Sequence, residues 1–215
     1  MRIPNIILIT LACIILACKE NPYNHTSEYL KLNLGADNLT IHKSKDSVII
    51  DIYYNIPPLI GFDFQSSSAA LQFIDTAGEI VKKNSIEQVK VKIHANQQVT
   101  EYNYPIADLR MNQIGMNLTA NFLQNFLGGR NQHNARYVDL DKISLEELFK
   151  LNTVNEQIQS TATITDVTFD GFSSHASEPQ NIEFRGSLQS ETETFPFIAQ
   201  YDKNKNKIFY FGINE

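Results

Sequence analysis

The chain has 215 residues, with 18 basic and 24 acidic side chains and a formal net charge of −6. This length is enough for one ordinary domain, or two small ones, with a buried core. An acidic chain without basic clusters argues against nucleic acid as a partner, because such binding depends on neutralising phosphates. Its two cysteines, Cys13 and Cys18, both lie near the start. The rest of the chain therefore offers no disulfide, thiol nucleophile or cysteine metal site.

Residues 6–17 form an apolar run that only Thr10 interrupts, after a short start that carries Arg2. The run is too short to cross about 30 Å of hydrocarbon as a helix, which takes about 20 residues. Its size and flanks are those of the apolar region of a signal peptide, predicted over 1–17. A buried N-terminal helix and an uncleaved membrane anchor are the alternatives.

The end of this run, Ile15-Leu16-Ala17-Cys18, resembles the lipobox of bacterial lipoproteins. The resemblance implies cleavage after Ala17 and lipid on Cys18, so that the chain is anchored in the bacterial envelope, with the outer membrane expected. Cys13 also follows an alanine, but cleavage there would leave a shorter apolar run. Lys19-Glu20 resembles the charged export signals of some Bacteroidetes lipoproteins.

Residues 18–27 are polar and are predicted to be a lipidated tether. The mature domain is predicted over 28–215, as a single β-rich unit or as two β-rich halves, 28–108 and 160–215, joined by a helical segment, 109–159. Alternating apolar and polar residues predict short strands in the first half. These strands are expected near 30–34, 39–41, 48–54, 89–95 and 99–104, with a hairpin of 71–74 and 79–81 for which a short helix is the alternative.

The middle of the chain has helical spacing. Phe122, Leu123, Phe126 and Leu127 share one helical face, and Gly128-Gly129 predicts the end of that helix. Ser144-Leu145-Glu146-Glu147 has the pattern of a capping box, which predicts a second short helix carrying Leu148 and Phe149. Strands are expected again near 167–169, 182–188, 195–199 and 208–212.

These elements predict a mainly β fold: an antiparallel β-sandwich, Ig-like or related, with two short helices in the middle of the chain. The alternative is an α+β cone-shaped fold with a curved sheet. Residues 48–108 resemble the late-embryogenesis-abundant type 2, or water-stress, family, through the aliphatic strand at 48–52, the loop after it and the Lys/Val strand leading to Val99. That resemblance implies a small Ig-like β-sandwich, although Asn55-Ile56-Pro57 departs from the family's Asn-Pro pair.

No residue pattern points to a metal or a cofactor, and none is expected. The five histidines show no spacing that directs two of them to one ion, and His42 and His94 are predicted on the polar faces of strands. The run that begins at Asp202 resembles a calcium loop but has Lys207 where that loop needs glycine, so a hairpin turn is predicted. A hydrolase built from residues far apart in the sequence stays an alternative, with no nucleophile and base visible in the spacing.

The sequence therefore predicts a non-enzymatic, membrane-anchored lipoprotein with a binding or structural role in the envelope, for which an envelope protein is one expected partner. The alternative is a carrier that holds a hydrophobic small ligand in a pocket closed by the middle helices. Phe122, Phe126 and Phe149 are the residues expected to line such a pocket.

Overall fold

The computed structural model describes residues 21–144, 146–147, 156, 158, 163–175 and 177–213. Cys18 and Phe149 lie outside the described residues. Within these residues the chain is mainly β, with two four-stranded sheets and several helices. No helix in the described ranges is both long enough and apolar enough to cross a bilayer.

The first sheet is mixed, in the order β1-β2-β3-β4. Strands β1 and β2 form an antiparallel hairpin, as do β3 and β4, whereas β2 and β3 run parallel. A parallel pair needs a long crossover, which two helices supply here, α2 and α3. The bounds are β1 Asn38–Ser44, β2 Ser47–Tyr54, α2 Phe62–Thr76, α3 Gly78–Lys83, β3 Gln88–Ala95 and β4 Gln98–Pro105.

The second sheet is an antiparallel meander in chain order. It contains β5 Ile164–His175, β6 Glu178–Ser190, β7 Thr194–Asp202 and β8 Lys207–Ile213. Short turns connect β6 to β7 and β7 to β8, and the second of these is the hairpin turn predicted at Asp202. The remaining helices are α1 Asn24–Leu34, α4 Ile106–Leu127 and a 3-10 helix, Asn131–Arg136.

The strand predicted at 30–34 is wrong, because this stretch is the second half of α1. Thr26, Leu30 and Leu34 are buried at a spacing of four, which is one face of a helix. Leu32, which completes the apparent alternation, is 77% exposed. Residues 24–27, predicted as part of the tether, are the beginning of the same helix.

The hairpin predicted at 71–81 is also wrong, because α2 and α3 occupy it. Small side chains let α2 pack closely against its neighbours, and Ser67, Ala69, Ala70 and Phe73 are fully buried. The break between the two helices, at Ala77, falls between the two strands of that predicted hairpin. Because of these two helices, residues 48–108 lack the all-β layout implied by the water-stress resemblance. Because β2 and β3 are parallel, the first sheet is not the wholly antiparallel one that was predicted.

The middle helix α4 is longer than predicted: it begins directly after Pro105 and ends before Gly128. The capping box is confirmed, since the Ser144 hydroxyl accepts the Glu147 N–H at 3.1 Å and the Glu147 carboxylate accepts the Ser144 N–H at 2.7 Å.

One face of the first sheet forms the larger core. Alternate residues of the two central strands are buried on it: Val48, Ile50, Ile52, Val89, Val91 and Ile93. This apolar face packs with α1 and α2. The second core lies between α4 and the second sheet, and includes Phe122, Phe126, Leu188, Phe197 and Ile208.

The two sheets are joined where α2 meets β5. The Ser67 hydroxyl accepts the N–H of Phe172 at 2.7 Å, and the Phe172 ring meets Tyr104 of β4 edge-on at 5.7 Å. Gly171 has a φ of 141°, and a Cβ there would lie 2.3 Å from the Phe64 carbonyl oxygen. Only glycine fits both this conformation and this close approach.

Candidate functional site

The face of the first sheet opposite α1 and α2 is polar and at least partly open to solvent. We call it the open face. Successive side chains of a strand point to opposite faces of the sheet, so the residues between the buried ones point to this face. The open face carries His42, Ile49, Asp51, Tyr53, Lys90, Lys92, His94, Val99 and Glu101.

Asp51 lies at the centre of this face, between two histidines. Its Oδ1 is 2.8 Å from Nε2 of His94, and its Oδ2 is 3.7 Å from Nδ1 of His42. The three residues come from three adjacent strands, with Asp51 on the middle one. The Asp51 side chain is only 14% exposed, so its neighbours shield it although the face is open.

Tyr53 fixes the orientation of the His94 ring. The two residues are cross-strand partners on β2 and β3, and their rings stack with centroids 4.2 Å apart and an angle of 13°. With Nε2 engaged by Asp51, the other ring nitrogen, Nδ1, has no hydrogen-bond partner within the described part of the chain. The imidazole is thus held in one plane with one nitrogen available to a bound molecule.

A second charged pair lies next to this cluster. Lys92 faces Asp51 across the parallel pair, and its Nζ is 3.6 Å from the Glu101 carboxylate on β4. Acidic and basic groups therefore alternate across the open face. Such a surface offers hydrogen bonds of both kinds to a polar partner.

A carboxylate that holds an imidazole in place is also part of many catalytic triads. Here the pair of Asp51 and His94 lies on the face of a sheet. The hydroxyl directly opposite Asp51 on the neighbouring strand belongs to Thr40, which is exposed. Nor do any three histidine, cysteine, aspartate or glutamate side chains come together as ligands for a metal ion in the described ranges. The arrangement offers hydrogen bonds and ring contacts to a bound molecule.

Two of the three phenylalanines predicted to line a pocket, Phe122 and Phe126, lie on α4, whereas Phe149 is outside the described residues. Phe122 and Phe126 are both fully buried and contact Phe211 of β8, with ring centroids 4.9 and 5.8 Å away. Phe122 also lines a crevice of about 200 Å³. The other lining residues are Lys142, Ile143, Glu147, Phe209, Tyr210 and Phe211.

An ion pair ties the 137–143 segment to the last hairpin. The Lys205 ammonium lies 2.7 Å from the Asp139 carboxylate, and this hydrogen-bonded contact lowers the pKa of Asp139 below its ordinary value. Asp202 accepts the backbone N–H of Asn204 and of Lys205. The hairpin turn predicted at Asp202 is confirmed, and the Asp202 carboxylate makes its hydrogen bonds within that turn.

Sequence reasoning missed the cluster on the open face. It placed His42 and His94 on polar strand faces, which is where they lie, but Asp51 and His94 are 43 residues apart and belong to parallel strands. The only local signal was the alternation itself. Comparison with protein-family models, with curated proteins and with solved structures gives no match, so the function must be inferred from the chain's own residues.

Proposed function

We propose that this protein is a lipoprotein of the bacterial envelope, anchored through lipid on Cys18, and that its domain acts by binding and not by catalysis. The anchor is supported by Ile15-Leu16-Ala17-Cys18 at the end of the apolar run. The structure adds that the chain is already held three residues later, where the Asn21 side-chain amide donates to the carbonyl of Ile41 at 3.0 Å. The domain therefore lies close to the anchor.

Metabolic labelling with an alkyne analogue of palmitate tests the anchor. The whole chain is expressed in a bacterial host that processes lipoproteins. Cys18→Ala should abolish the label and leave an unprocessed precursor, whereas Cys13→Ala should keep both labelling and processing. A label that survives Cys18→Ala would contradict the proposal.

The binding role is assigned to the open face. The observation that carries it is the His94 imidazole, which Asp51 and Tyr53 hold in one orientation on a partly exposed surface. A preorganised donor or acceptor loses little conformational freedom when a partner binds. The mixed charges around it favour a polar partner, such as the surface of another envelope protein.

Site-specific photocrosslinking in cells tests this role. A benzophenone amino acid replaces Val99, which pairs with His94 across the sheet and is 58% exposed. One defined crosslinked species is expected, and His94→Ala should weaken it strongly. The same probe at Lys83, on α3, is the control and should not give that species. Equal crosslinking from both positions would refute the assignment.

The carrier function is the second candidate, and the crevice beside Phe122 is the observation that favours it. Its walls are largely apolar, with the Lys142 ammonium 4.2 Å from the centroid of the Phe209 ring. This would suit a short acyl chain with a polar end. Solvent extraction of the purified protein followed by mass spectrometry should then yield one recurring amphiphile, and its absence would reject this function.

We also propose that the two sheets form the β-sandwich predicted from the sequence. It is supported by the shared core, to which both sheets contribute, and by the contact of Tyr104 with Phe172. The cone-shaped alternative would instead draw support from the register shifts along β5, which bend a strand.

A further inference from the structure

The two sheets have four edge strands, and three of them are bonded by parts of the chain outside their own sheet. On β1, the Ile41 carbonyl accepts a hydrogen bond from the side chain of Asn21. On β5, a hydroxyl of α2 accepts the N–H of Phe172. On β8, the backbone of Ile208 is bonded to the 137–139 segment. The backbone groups along the outer side of β4, the fourth edge strand, have no such partner within the described residues.

The register between β3 and β4 shows which backbone groups of β4 point outward. The two strands are joined by Asn96 and Gln97, which both have positive φ angles. Such a two-residue turn makes the flanking Ala95 and Gln98 a hydrogen-bonded pair. The alternation from there leaves three residues whose N–H and C=O groups point away from β3: Val99, Glu101 and Asn103. We call these outward backbone groups the β4 edge.

The β4 edge is regular and unprotected. An exposed edge strand is a template for pairing with another chain, and proteins usually protect such strands with lysines, bulges or prolines. The eight residues of β4 pair with β3 without a register shift, whereas β5 carries three such shifts. No lysine lies in β4, and its single proline, Pro105, is its last residue. The strand is therefore suited to accept another strand.

The side chains of β4 on the core side of the sheet are incompletely covered. Thr100 and Tyr102 are only half-buried, whereas Leu39 and Ile41, at the opposite edge of the same sheet, are buried. A further strand beside β4 would place its own side chains next to Thr100 and Tyr102. Apolar side chains at those positions would remove more of this surface from water, which favours their binding.

The charge on the other side of β4 indicates what kind of strand fits. The Glu101 side chain is 44% exposed, and it would lie directly opposite one residue of an added strand. An opposite charge at that residue is favourable, and a like charge is not. Two copies of this chain that pair β4 with β4 through all three outward residues would set Glu101 against Glu101. A segment of another protein, with a basic residue at this point, fits better than a second copy.

We propose that β4 binds an extended segment of a partner protein as a fifth strand of the first sheet, with a basic side chain opposite Glu101 and apolar side chains beside Thr100 and Tyr102. This inference rests on the binding role proposed for the open face, to which Val99 and Glu101 already belong. In this mode the main-chain hydrogen bonds supply affinity, and alternate side chains supply specificity.

Photocrosslinking in cells from two positions of the full chain tests strand addition. A benzophenone amino acid replaces Val99 in one sample and Asn103 in another, and mass spectrometry locates the crosslinked residue of the partner. Paired strands advance together, so the residues reached from these two positions should lie about four apart in one segment of one protein. The probe at Lys83, on α3, is the control and should not reach that segment.

Two substitutions at one position test whether the backbone of β4 takes part. Glu101→Pro removes an outward N–H without removing a hydrogen bond to β3, which an edge strand tolerates. Glu101→Ala is the matched control, because it removes the same carboxylate and keeps the N–H. The proline should lower the crosslinking yield from position 99 about tenfold or more, since a partner carbonyl loses its donor. The alanine should lower that yield by at most about fivefold, for the loss of one cross-strand charge pair.

Asn103→Pro should repeat the effect of Glu101→Pro, and circular dichroism of the purified variants checks that they fold. The spacing of the crosslinks requires neither proline, so it tests the proposal even where a proline disturbs the strand.

The outcomes separate this inference from the proposed function. A defined species that His94→Ala weakens, but whose crosslinks from 99 and 103 show no common spacing and whose yield is equal in the proline and alanine variants, would refute strand addition and leave the open face intact. No defined species from either position would refute both. Crosslinks between two copies of this chain would overturn the assignment to a partner protein.

Discussion

Gly115→Ala gives a direct test of the packing between α4 and the second sheet. Gly115 lies in the interior of α4, where alanine is intrinsically favoured by about 1 kcal/mol. A Cβ at this position would lie 2.8 and 2.9 Å from two ring atoms of Tyr201 and 3.0 Å from the Phe184 ring. Both rings are fully buried, so neither can move aside without disturbing the core.

The net effect follows from comparing these two contributions. Overpacking a well-filled core costs about 1–3 kcal/mol, whereas the gain in helix propensity recovers about 1 kcal/mol. We therefore expect the free energy of unfolding to fall by up to about 2 kcal/mol. Gly78→Ala is the control, because Gly78 begins α3 and a Cβ there meets no atom within 4 Å. It should leave stability unchanged or raise it by less than about 1 kcal/mol.

Urea unfolding followed by circular dichroism measures both variants. The slope should stay constant while the midpoint shifts, which identifies a change in stability and not in the unfolded state. A Gly115→Ala protein that is more stable than the wild type by about 1 kcal/mol, the full gain in helix propensity, would refute the close approach of α4 to Tyr201 and Phe184. Phe184→Leu in the same chain should make the alanine less costly, since neighbours that share space couple in a double-mutant cycle.

Two further predictions concern single contacts. Ser67→Ala leaves the buried N–H of Phe172 without its acceptor and should cost about 1–3 kcal/mol in urea unfolding. Ser27→Ala removes only an exposed hydrogen bond to the Asn24 carbonyl in α1 and should stay within about 0.5 kcal/mol. Equal effects would contradict the junction between α2 and β5. The pKa of Asp139 is lowered in the folded protein by Lys205, so its contribution to stability is present above the ordinary aspartate pKa and is lost as the pH falls through the folded value. Lys205→Met should weaken this loss between neutral and acidic pH and raise the pKa of Asp139 in NMR titrations, and an unchanged pKa would contradict the ion pair.

The strands of both sheets could be predicted wherever one face is buried. Along β2 and β3 every second residue is apolar and inaccessible, so the period of two is visible in the sequence. The strands of the second sheet were predicted in the same way, and the turn between its last two strands was predicted from the polar run that begins at Asp202. The capping box at Ser144 is another local pattern, and it was predicted for the same reason.

Helix α1 was not predicted, and a short helix in the region of α2 was only the alternative to a hairpin, because the patterns of both stretches are ambiguous or weak. In α1, leucines two apart resemble a strand, yet Leu30 and Leu34 are also four apart and share a helical face. In α2, small residues replace the usual apolar stripe, and the helix is buried by its neighbours on several sides. The sequence alone cannot say which neighbours will pack against these stretches, so tertiary packing decided that both are helices.

Local chemistry determined the hairpins and most of the strands, because each depends on residues a few positions apart, and the proposed N-terminal signal rests on the same kind of local pattern. The tertiary structure alone decided the parallel pairing of β2 with β3, and with it the meeting of Asp51, Tyr53 and His94 on one face. The reason is physical: register across a crossover of more than thirty residues depends on how α2 and α3 fill the space between the strands.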